Sequence, residues 1–288
     1  MLKRRVVATL VVRDGIVVQS VGFQRYLPVG RPQIAVEFLN QWGVDEIILL
    51  DISATAARRG PDLAMVRAVA KRCFVPLTVG GGIHALDQAR ALIRSGADKV
   101  AFNQAALHAP ELLARTAEVF GSQCVVAVID GIRHPDGYRV HDYRSRQATA
   151  RGAGEFATSL VARGAGEVFI NSVDRDGAKQ GFDLSLVREL CAAVDVPVIC
   201  CGGAGAPEHF AEVFRETRVH AAAAANFFHF TEHSVTTTKA ILRSRVPVRH
   251  DTHADYASST FDVAGRLLKK PDQILEDMRF VRIEKEVI

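Results

Sequence analysis

The sequence lacks several patterns that would point its function elsewhere. Among its 288 residues no apolar run is long enough to cross a bilayer, and the run after Lys3 is too short for a signal peptide and stops at Arg13. No long basic stretch accompanies the formal net charge of +4, so nucleic acid is not implied. These absences predict a cytoplasmic protein without membrane insertion, whose charge suits anionic small molecules.

Familiar cofactor and metal patterns are missing as well. The five cysteines form no Cys-x-x-Cys pair, which favours buried, reduced thiols. No Ser-His-Asp arrangement can be placed, and no dinucleotide fingerprint follows the first apolar run. His250 and His253 stand near two aspartates, but a solvated polar stretch explains them better than a metal site. We therefore predict neither a metal nor a cofactor.

What the sequence does contain is an alternation of short apolar runs and amphipathic segments. Parallel strands buried on both faces read as continuous apolar runs, and eight such units within about 250 residues are typical of a (β/α)₈ TIM barrel. A doubly wound open sheet is the alternative. The runs are VVATLVV, EIILLDIS, PLTVGGG, KVAFNQ, CVVAVID, EVFINS, PVICCGG and AAAAANFF. We assign residues 1–250 to the barrel and 251–288 to an extension, whose "PDQILEDMRFV" predicts a helical arm that faces a partner.

An internal repeat favours closure of the sheet. "GVDEIILLDIS" at 43–53 aligns with "GAGEVFINSVD" at 164–174, and "VPLTVGGG" at 75–82 aligns with "VPVICCGG" at 196–203, as two half-barrels would. The glycine turn 80–82 is thereby mirrored at 202–205. Exposed backbone N–H groups in such turns bind phosphate, so the pair suits an elongated ligand with phosphate at both ends. Tight turns alone would also explain the glycines.

The residues also carry a family resemblance. The motifs "TVGGGI", "GADKV", "NQAA", "RGAGEVFINSVDRDG", "GGAG" and "FHF" are similar to those of the cyclase subunit of imidazole glycerol phosphate synthase, over about residues 1–249. The resemblance implies a barrel, a glutaminase partner and passage of ammonia through the barrel. With the departures described below, the chain resembles more specifically the divergent homologues of this subunit in surface-polysaccharide (amidino-sugar) biosynthesis.

Phosphate contacts of the family fall on both halves of this chain. Two positions depart from the family, where a small hydroxyl residue is usual: Gln104 and Asn226. Both amides can donate to an oxygen, but they are larger and would alter the pocket. The implied phosphate-binding residues are Gly82, Asn103, Gln104, Asp176, Gly177, Gly203, Ala225 and Asn226.

The sharper departure concerns proton transfer. The family uses two aspartates as general acid and base, at the ends of the first and fifth strands. Asp130 retains the fifth-strand acid, but Val11 occupies the first-strand position, and the family's nearby lysine is Gln19. Asp130 is therefore the main catalytic candidate, with Asp51 at the second strand's end as another. Capping of the following segment is the alternative for both. Ser53, Asn171 and Asp174 are expected at the same mouth.

The opposite end of the predicted barrel matches the family. Arg5, Glu46, Lys99 and Glu167 each lie just before a predicted strand, and the resemblance implies a salt-bridged ring there that gates the ammonia passage. Charges beside an apolar interior must pair to offset desolvation. Asp98 is implied to engage the glutaminase.

Three hypotheses follow for the function. The preferred one is an amidotransferase synthase subunit that adds ammonia to a phosphorylated or nucleotide-linked sugar, together with a glutaminase and an additional sugar synthetase. The second is a cyclase subunit of imidazole glycerol phosphate synthase in histidine biosynthesis that tolerates Val11. The third is a non-catalytic barrel that activates its glutaminase.

Overall fold

The computed structural model describes residues 3–231, 233–249, 256, 259–263 and 265–276. Its strands are β1 (Arg5–Arg13), β2 (Ile16–Val21), β3 (Arg25–Gly30), β4 (Glu46–Asp51), β5 (Leu77–Gly80), β6 (Lys99–Phe102), β7 (Val125–His134), β8 (Gly137–Asp142), β9 (Gln147–Gly152), β10 (Glu167–Ser172), β11 (Val198–Cys201) and β12 (Ala221–Ala224). Its α-helices are α1 (Pro32–Gln41), α2 (Leu63–Ala70), α3 (Leu86–Arg94), α4 (Gln104–His108), α5 (Glu111–Phe120), α6 (Ala153–Val161), α7 (Leu184–Ala193), α8 (Pro207–Glu216), α9 (Ser234–Leu242) and α10 (Asp272–Glu276).

Eight of these strands close into a parallel barrel. They pair in the order β1-β4-β5-β6-β7-β10-β11-β12, and β12 returns to β1 with Arg5 opposite Ala221. Each of the eight apolar runs found in the sequence supplies one of these strands. The predicted TIM barrel is confirmed, and the open sheet is wrong.

Side chains alternate between the barrel interior and the surrounding helices. On β1, Val7 packs with Ile48, Phe169 and Ile199 in the interior cluster, whereas Val6 belongs to the outer core beneath the helices. Because side chains of a strand alternate with a period of two, the inward set of β1 continues through Thr9 to Val11. Inward positions at the carboxyl ends of the strands therefore meet at one mouth.

Two β-hairpins, which the sequence reading did not predict, extend the barrel at the ends of its first and fifth strands. β2 pairs antiparallel with β1 and then with β3, and β8 pairs antiparallel with β7 and then with β9. The turn after β1 has positive φ at Asp14 (51°) and Gly15 (79°), as a type I′ turn requires. Asp14-Gly15 and the stretch Pro135–Gly137 are hairpin signals that could have located both hairpins.

The two halves of the barrel also share an aspartate N-cap at one helix each. The carboxylate of Asp62 accepts a hydrogen bond from the Met65 amide at the start of α2, and Asp183 accepts one from Leu186 at the start of α7. Such N-caps satisfy backbone donors that the helix leaves unpaired. The two caps are 121 residues apart, as are Glu46 and Glu167, so the sequence repeat continues in the helix starts.

Parts of the extension contact the barrel. The Tyr256 hydroxyl lies 3.0 Å from His233 Nδ1, and Phe261 and Leu267 form an antiparallel bridge. α10 falls within the predicted helical arm, but residues 277–288 lie outside the described residues, so the arm stays a prediction. His250 and His253 lie outside them too. Within the described ranges, no helix is long and apolar enough to span a membrane.

A close backbone approach at the start of β10 gives a first testable prediction. A Cβ on Gly166 would lie 2.3 Å from the Ser122 carbonyl oxygen, whereas a Cβ on Gly30 would meet nothing within 4 Å. Because overpacking a well-packed site costs about 1–3 kcal/mol, we expect Gly166→Ala to lower the free energy of unfolding by that amount. Gly30→Ala is the matched control, and equal stability of both variants in urea unfolding would contradict the prediction.

Candidate active site at the barrel mouth

A cavity of about 720 Å³ opens at the carboxyl ends of the barrel strands. Its walls combine strand ends with the two hairpins, and its size is in the range of small-molecule sites. Three arginines line it, Arg13, Arg144 and Arg146, and they give it a surface suited to an anionic ligand. Carboxylate and amide side chains also line it: Asp51, Asn103, Gln104, Asp130, Asn171 and Asp176.

Asp130 lies inside this cavity at the end of the fifth barrel strand. It is 7% exposed, and Asn103 Nδ2 donates to its Oδ2 at 2.9 Å. Burial raises the pKa of Asp130 to about 7, with a further rise from Asp176, against the hydrogen bonds from Asn103 and Asn171 that favour the charged form. A carboxyl group poised near neutral pH suits proton transfer.

Val11 occupies the corresponding place at the end of the first strand. It lines the same cavity and is paired with Leu50 on one side and Val18 on the other. The first-strand side of the mouth is therefore apolar where the family carries an acid. A valine there can shape the cavity but cannot transfer a proton.

Asp51 also lines the cavity, but its oxygens are already engaged. Its Oδ1 accepts from the Ser53 amide, the Ser53 hydroxyl and the Ala54 amide at 2.8–3.2 Å. Its Oδ2 forms a salt bridge with Arg59 at 2.7 Å. These bonds fix the loop after β4. Of the two carboxylates predicted for catalysis, the geometry thus favours Asp130 for chemistry and Asp51 for loop structure.

The first glycine turn (residues 80–82) opens onto the cavity together with Asn103 and Gln104. Gln104 Nε2 donates to Asp142 on β8 at 3.1 Å and to Asn103 Oδ1 at 3.2 Å. Its Oε1 is buried and has no partner among the described residues. The larger amide thereby joins the β8 strand to the turn after β6.

Three of the residues predicted for a second phosphate, Asp176, Gly177 and Asn226, lie against the first hairpin. Asn226 Oδ1 accepts from the Ser20 amide at 3.0 Å, and Asn226 Nδ2 donates to the Ser20 carbonyl at 2.6 Å. The Asp176 carboxylate accepts from the Ser20 hydroxyl at 2.7 Å and from the Phe23 amide at 3.0 Å. A Cβ on Gly177 would lie 2.9 Å from the Ser20 carbonyl. The side-chain amide of Asn226 is thus bound to β2.

The predicted phosphate residues are consequently divided. Five of them line the cavity: Gly82, Asn103, Gln104, Asp176 and Ala225. Gly177, Gly203 and Asn226 do not appear in its wall, because the hairpin and the loop of Gly181 cover them; a Cβ on Gly203 would lie 2.0 Å from the Gly181 carbonyl. The two departures from the family, Gln104 and Asn226, share a structural role. Gln104 binds Asp142 in the hairpin after β7, and Asn226 binds Ser20 in the hairpin after β1.

A closed ring of alternating charges lies at the opposite end of the barrel. Arg5 forms salt bridges with Glu46 and Glu167, and Lys99 Nζ binds the same two carboxylates at 2.9 and 2.6 Å. Thr78 donates to Glu46 as well. Burial opposes the charge of Arg5, but the attraction of the two glutamates outweighs it and raises the pKa of Arg5. We call these four residues the charged ring.

Other predicted residues lie near these two regions. Asp98 is exposed beside the charged ring, and its Oδ2 accepts from the Leu77 amide at 2.8 Å. Ser53 and Asn171 line the cavity, but Asp174 does not appear in its wall and accepts from the Arg133 amide at 2.7 Å. Among the described residues, no three His, Cys, Asp or Glu side chains group as a metal site.

The cavity also contains residues that were not predicted from the sequence, among them the three arginines and His141. His141 on β8 lines the cavity and is 9% exposed, and its Nδ1 is buried without a partner among the described residues. If "GYRVHD" is taken as a strand, His141 shares one face with Gly137 and Arg139, and Tyr138 and Val140 share the other face. The sequence alone does not say which face turns to the cavity, because the register of the hairpin decides that.

Comparisons with known proteins agree with this geometry. The family described as histidine biosynthesis protein matches residues 5–234. A Vibrio vulnificus (strain YJ016) protein provisionally named imidazole glycerol phosphate synthase subunit hisF2 is 40% identical over 267 residues, which cover 92% of this chain and 98% of that protein. The imidazole glycerol phosphate synthase subunits HisF of Clostridium botulinum (strain Okra) and Caulobacter vibrioides are each 42% identical, over 84% and 87% of this chain and 97% and 98% of theirs.

The pKa of Asp130 leads to a prediction about stability. Its folded pKa of about 7 lies above the unfolded value of about 3.9, so from pH 4 upward the unfolded state ionises first and the native state loses stability until about pH 7. Asn carries no such charge. We therefore expect Asp130→Asn to be more stable than the parent protein at pH 8, by about 2–4 kcal/mol, and to lose this advantage near pH 4.

Urea unfolding at pH 4, 6 and 8 measures the difference between the two proteins. Asp14→Asn is the control, because Asp14 is exposed and asparagine tolerates its positive φ. A stability difference between Asp130→Asn and the parent protein that is the same at all three pH values would contradict a raised pKa.

Proposed function

The chain belongs to the histidine biosynthesis protein family, and from that premise we propose that it is the ammonia-using synthase subunit of a glutamine amidotransferase. The reaction proposed for it is the one named in its relatives, imidazole glycerol phosphate synthesis, with a separate glutaminase as partner. The comparisons favour this alternative over the polysaccharide reading, since the relatives carry that name across nearly their whole length.

One observation carries the proposal: the charged ring and Asp130 lie at opposite ends of the same barrel interior. Between them the interior is almost entirely apolar. Ammonia is small and neutral and can cross such an interior, whereas its charged form would be excluded by the cost of desolvation. The apolar residues are Val7, Ile48, Ala101, Val126, Val128, Phe169, Ile199, Cys201, Ala221 and Ala223.

The charged ring supplies a physical reason for control at the entrance. All four groups pair with both neighbours, and the glutamates are almost fully buried, with side chains 1% and 6% exposed. Desolvated charges remain favourable only while each keeps its partners. A glutaminase that docks against Asp98 at this end could exchange contacts with the outer cations Arg5 and Lys99 and so open the ring.

At the mouth, Asp130 is the group that moves a proton. Asn103 and Asn171 fix its carboxyl group, and the first glycine turn with Arg144 and Arg146 would hold an anionic end of the substrate. These groups act where ammonia leaves the barrel. Proximity of this kind converts a bimolecular encounter into a reaction within one site.

A second candidate function rests on two departures from the family. Val11 removes the first-strand acid, and the side-chain amide of Asn226, a residue predicted for the second phosphate, is bound to Ser20. Both favour an acceptor that is phosphorylated at one end only, such as a phosphorylated or nucleotide-linked sugar, made with the help of an additional synthetase. In this version the ammonia route and Asp130 keep their roles, and only the acceptor changes.

Growth of a histidine auxotroph that lacks its own cyclase subunit distinguishes the two functions. We expect this chain, expressed with its glutaminase, to restore growth without histidine, and Asp130→Asn to abolish it, because loss of a general acid–base group costs about 10²–10⁴ in rate. Val11→Asp should speed growth, because it returns an acid to the first strand. Failure of both the parent chain and Val11→Asp would contradict the imidazole glycerol phosphate reaction and favour the altered acceptor.

Substitution of Lys99 tests the ammonia route itself. Lys99→Met leaves Glu46 and Glu167 with Arg5 as their shared cation, so we expect a loss of about 3 kcal/mol in stability and a fall in glutamine-dependent turnover. Turnover with ammonium chloride should be retained, because that ammonia enters from the open mouth. Lys71→Met, at an exposed lysine, is the control. An equal fall with glutamine and with ammonium chloride would contradict the route.

A further inference from the structure

The second hairpin brings His141 to the cavity that holds Asp130. β8 folds back on β7 with Gly131 opposite Val140 and Ile132 opposite Arg139. Asp130 and His141 are the next residues of the two strands after the pair of Gly131 and Val140, and both line the one cavity at the mouth.

The first hairpin has the same geometry with different residues. β2 folds back on β1 with Val11 opposite Val18 and Val12 opposite Val17. Since Val11 and Asp130 are equivalent strand ends, Val18 is the equivalent of His141. Of these four residues, Val11, Asp130 and His141 line the cavity, so the first strand presents a valine where the fifth strand presents a carboxyl group and its hairpin an imidazole.

The surroundings of His141 enclose one of its ring nitrogens. Nδ1 is buried without a partner among the described residues, and the ring meets Phe23 edge to face, with 6.3 Å between ring centroids. Because Nδ1 is enclosed while the residue lines the cavity, a ligand in the cavity would meet the ring at Nε2. A buried nitrogen without a hydrogen bond carries a desolvation cost, which is higher when the ring is charged.

The charges around His141 leave it neutral. Burial lowers its pKa below the ordinary value, and the carboxylates of Asp142 on its own strand and of Asp174 in the loop after β10 offset this only in part. A neutral imidazole is a proton acceptor at pH 7.

We propose that His141 is a catalytic base that works with Asp130 as the acid, so that both proton transfers take place on the fifth-strand side of the mouth. The inference rests on the proposed function, because it assigns the second acid–base group of that same site. Two titratable groups held in different environments on adjacent strands divide the roles of acid and base.

The proposed step keeps atoms and charges in balance. The nitrogen lone pair of ammonia forms a bond to an electrophilic carbon of the acceptor, and the electron pair of that carbon's double bond moves to its oxygen or nitrogen. Asp130 gives its proton to that atom and becomes a carboxylate. The added nitrogen gives a proton to His141 Nε2. The imidazolium then returns a proton to Asp130, and the pair is restored.

Kinetics of His141 variants with ammonium chloride and the substrate of imidazole glycerol phosphate synthase test the pair. His141→Phe keeps an aromatic ring against Phe23, and we expect turnover to fall about 10²–10⁴-fold with little change in KM. His134→Phe, on the exposed end of the same hairpin, should stay within twofold of the parent protein. Turnover of His141→Phe within threefold of the parent protein would overturn the proposal.

Chemical rescue separates a catalytic from a structural role. His141→Ala leaves space in the cavity, so we expect added imidazole to raise its turnover at least tenfold, and 4-methylimidazole to move the acid limb of the pH profile according to its own pKa. In the parent protein kcat/KM should fall on the acid side as His141 gains a proton and on the alkaline side near pH 7 as Asp130 loses one. No rescue, together with an unchanged acid limb in His141→Phe, would refute a base at this position.

Failure of the proposed function gives a different result. If the parent protein makes no product from that substrate, the imidazole glycerol phosphate reaction is excluded, and nitrogen NMR of the histidine rings then decides the inference alone. A neutral His141 ring with unprotonated Nε2 at pH 7 supports it. A protonated Nε2 or a charged ring at that pH overturns it.

Discussion

The closure of eight parallel strands is the constraint on which every site in this protein depends. Once β12 pairs with β1, side chains that point inward have no solvent beside them except at the two ends of the barrel. Charged residues at inward positions must therefore lie at an end or be paired. Glu46 and Glu167 begin their strands and are paired, whereas Asp130 ends its strand and faces the cavity. The same alternation thus places a paired set of charges at one end of the barrel and a carboxyl group beside the cavity at the other.

The two ends handle buried charge in opposite ways. In the charged ring each carboxylate has two cationic partners, so attraction offsets desolvation and the groups stay charged. Asp130 has amide partners and no cation among those that set its pKa. Incomplete compensation raises its pKa into the range where protons can be exchanged at neutral pH. A fully satisfied charge stabilises a structure, and a partly satisfied one is available for chemistry.

The sequence predicts more about the barrel than about its mouth. Continuous apolar runs specify strands buried on both faces, and Arg5, Glu46, Lys99 and Glu167 precede four of those runs, so the ring could be placed from the order of residues alone. The hairpins were missed because "GIVVQS" and "GYRVHD" are short segments of mixed apolar and polar residues whose partners lie on barrel strands. Their register decides that Ser20 meets Asn226 and Asp176 and that His141 reaches the cavity of Asp130, and register comes from pairing, which a local pattern does not contain.

The hairpins also explain why the two halves of a repeated barrel need not do the same work. Asn226 holds Ser20 through both its amide atoms, and Gln104 holds Asp142 through one and leaves its carbonyl oxygen unpartnered. The first hairpin is therefore bound more completely than the second. The first half presents Val11 to the cavity at its first strand, whereas the second half presents Asp130 and, from its hairpin, His141. Equivalent strand ends of the repeat thus bring different side chains to one mouth, and only one of the two ends carries an ionisable group.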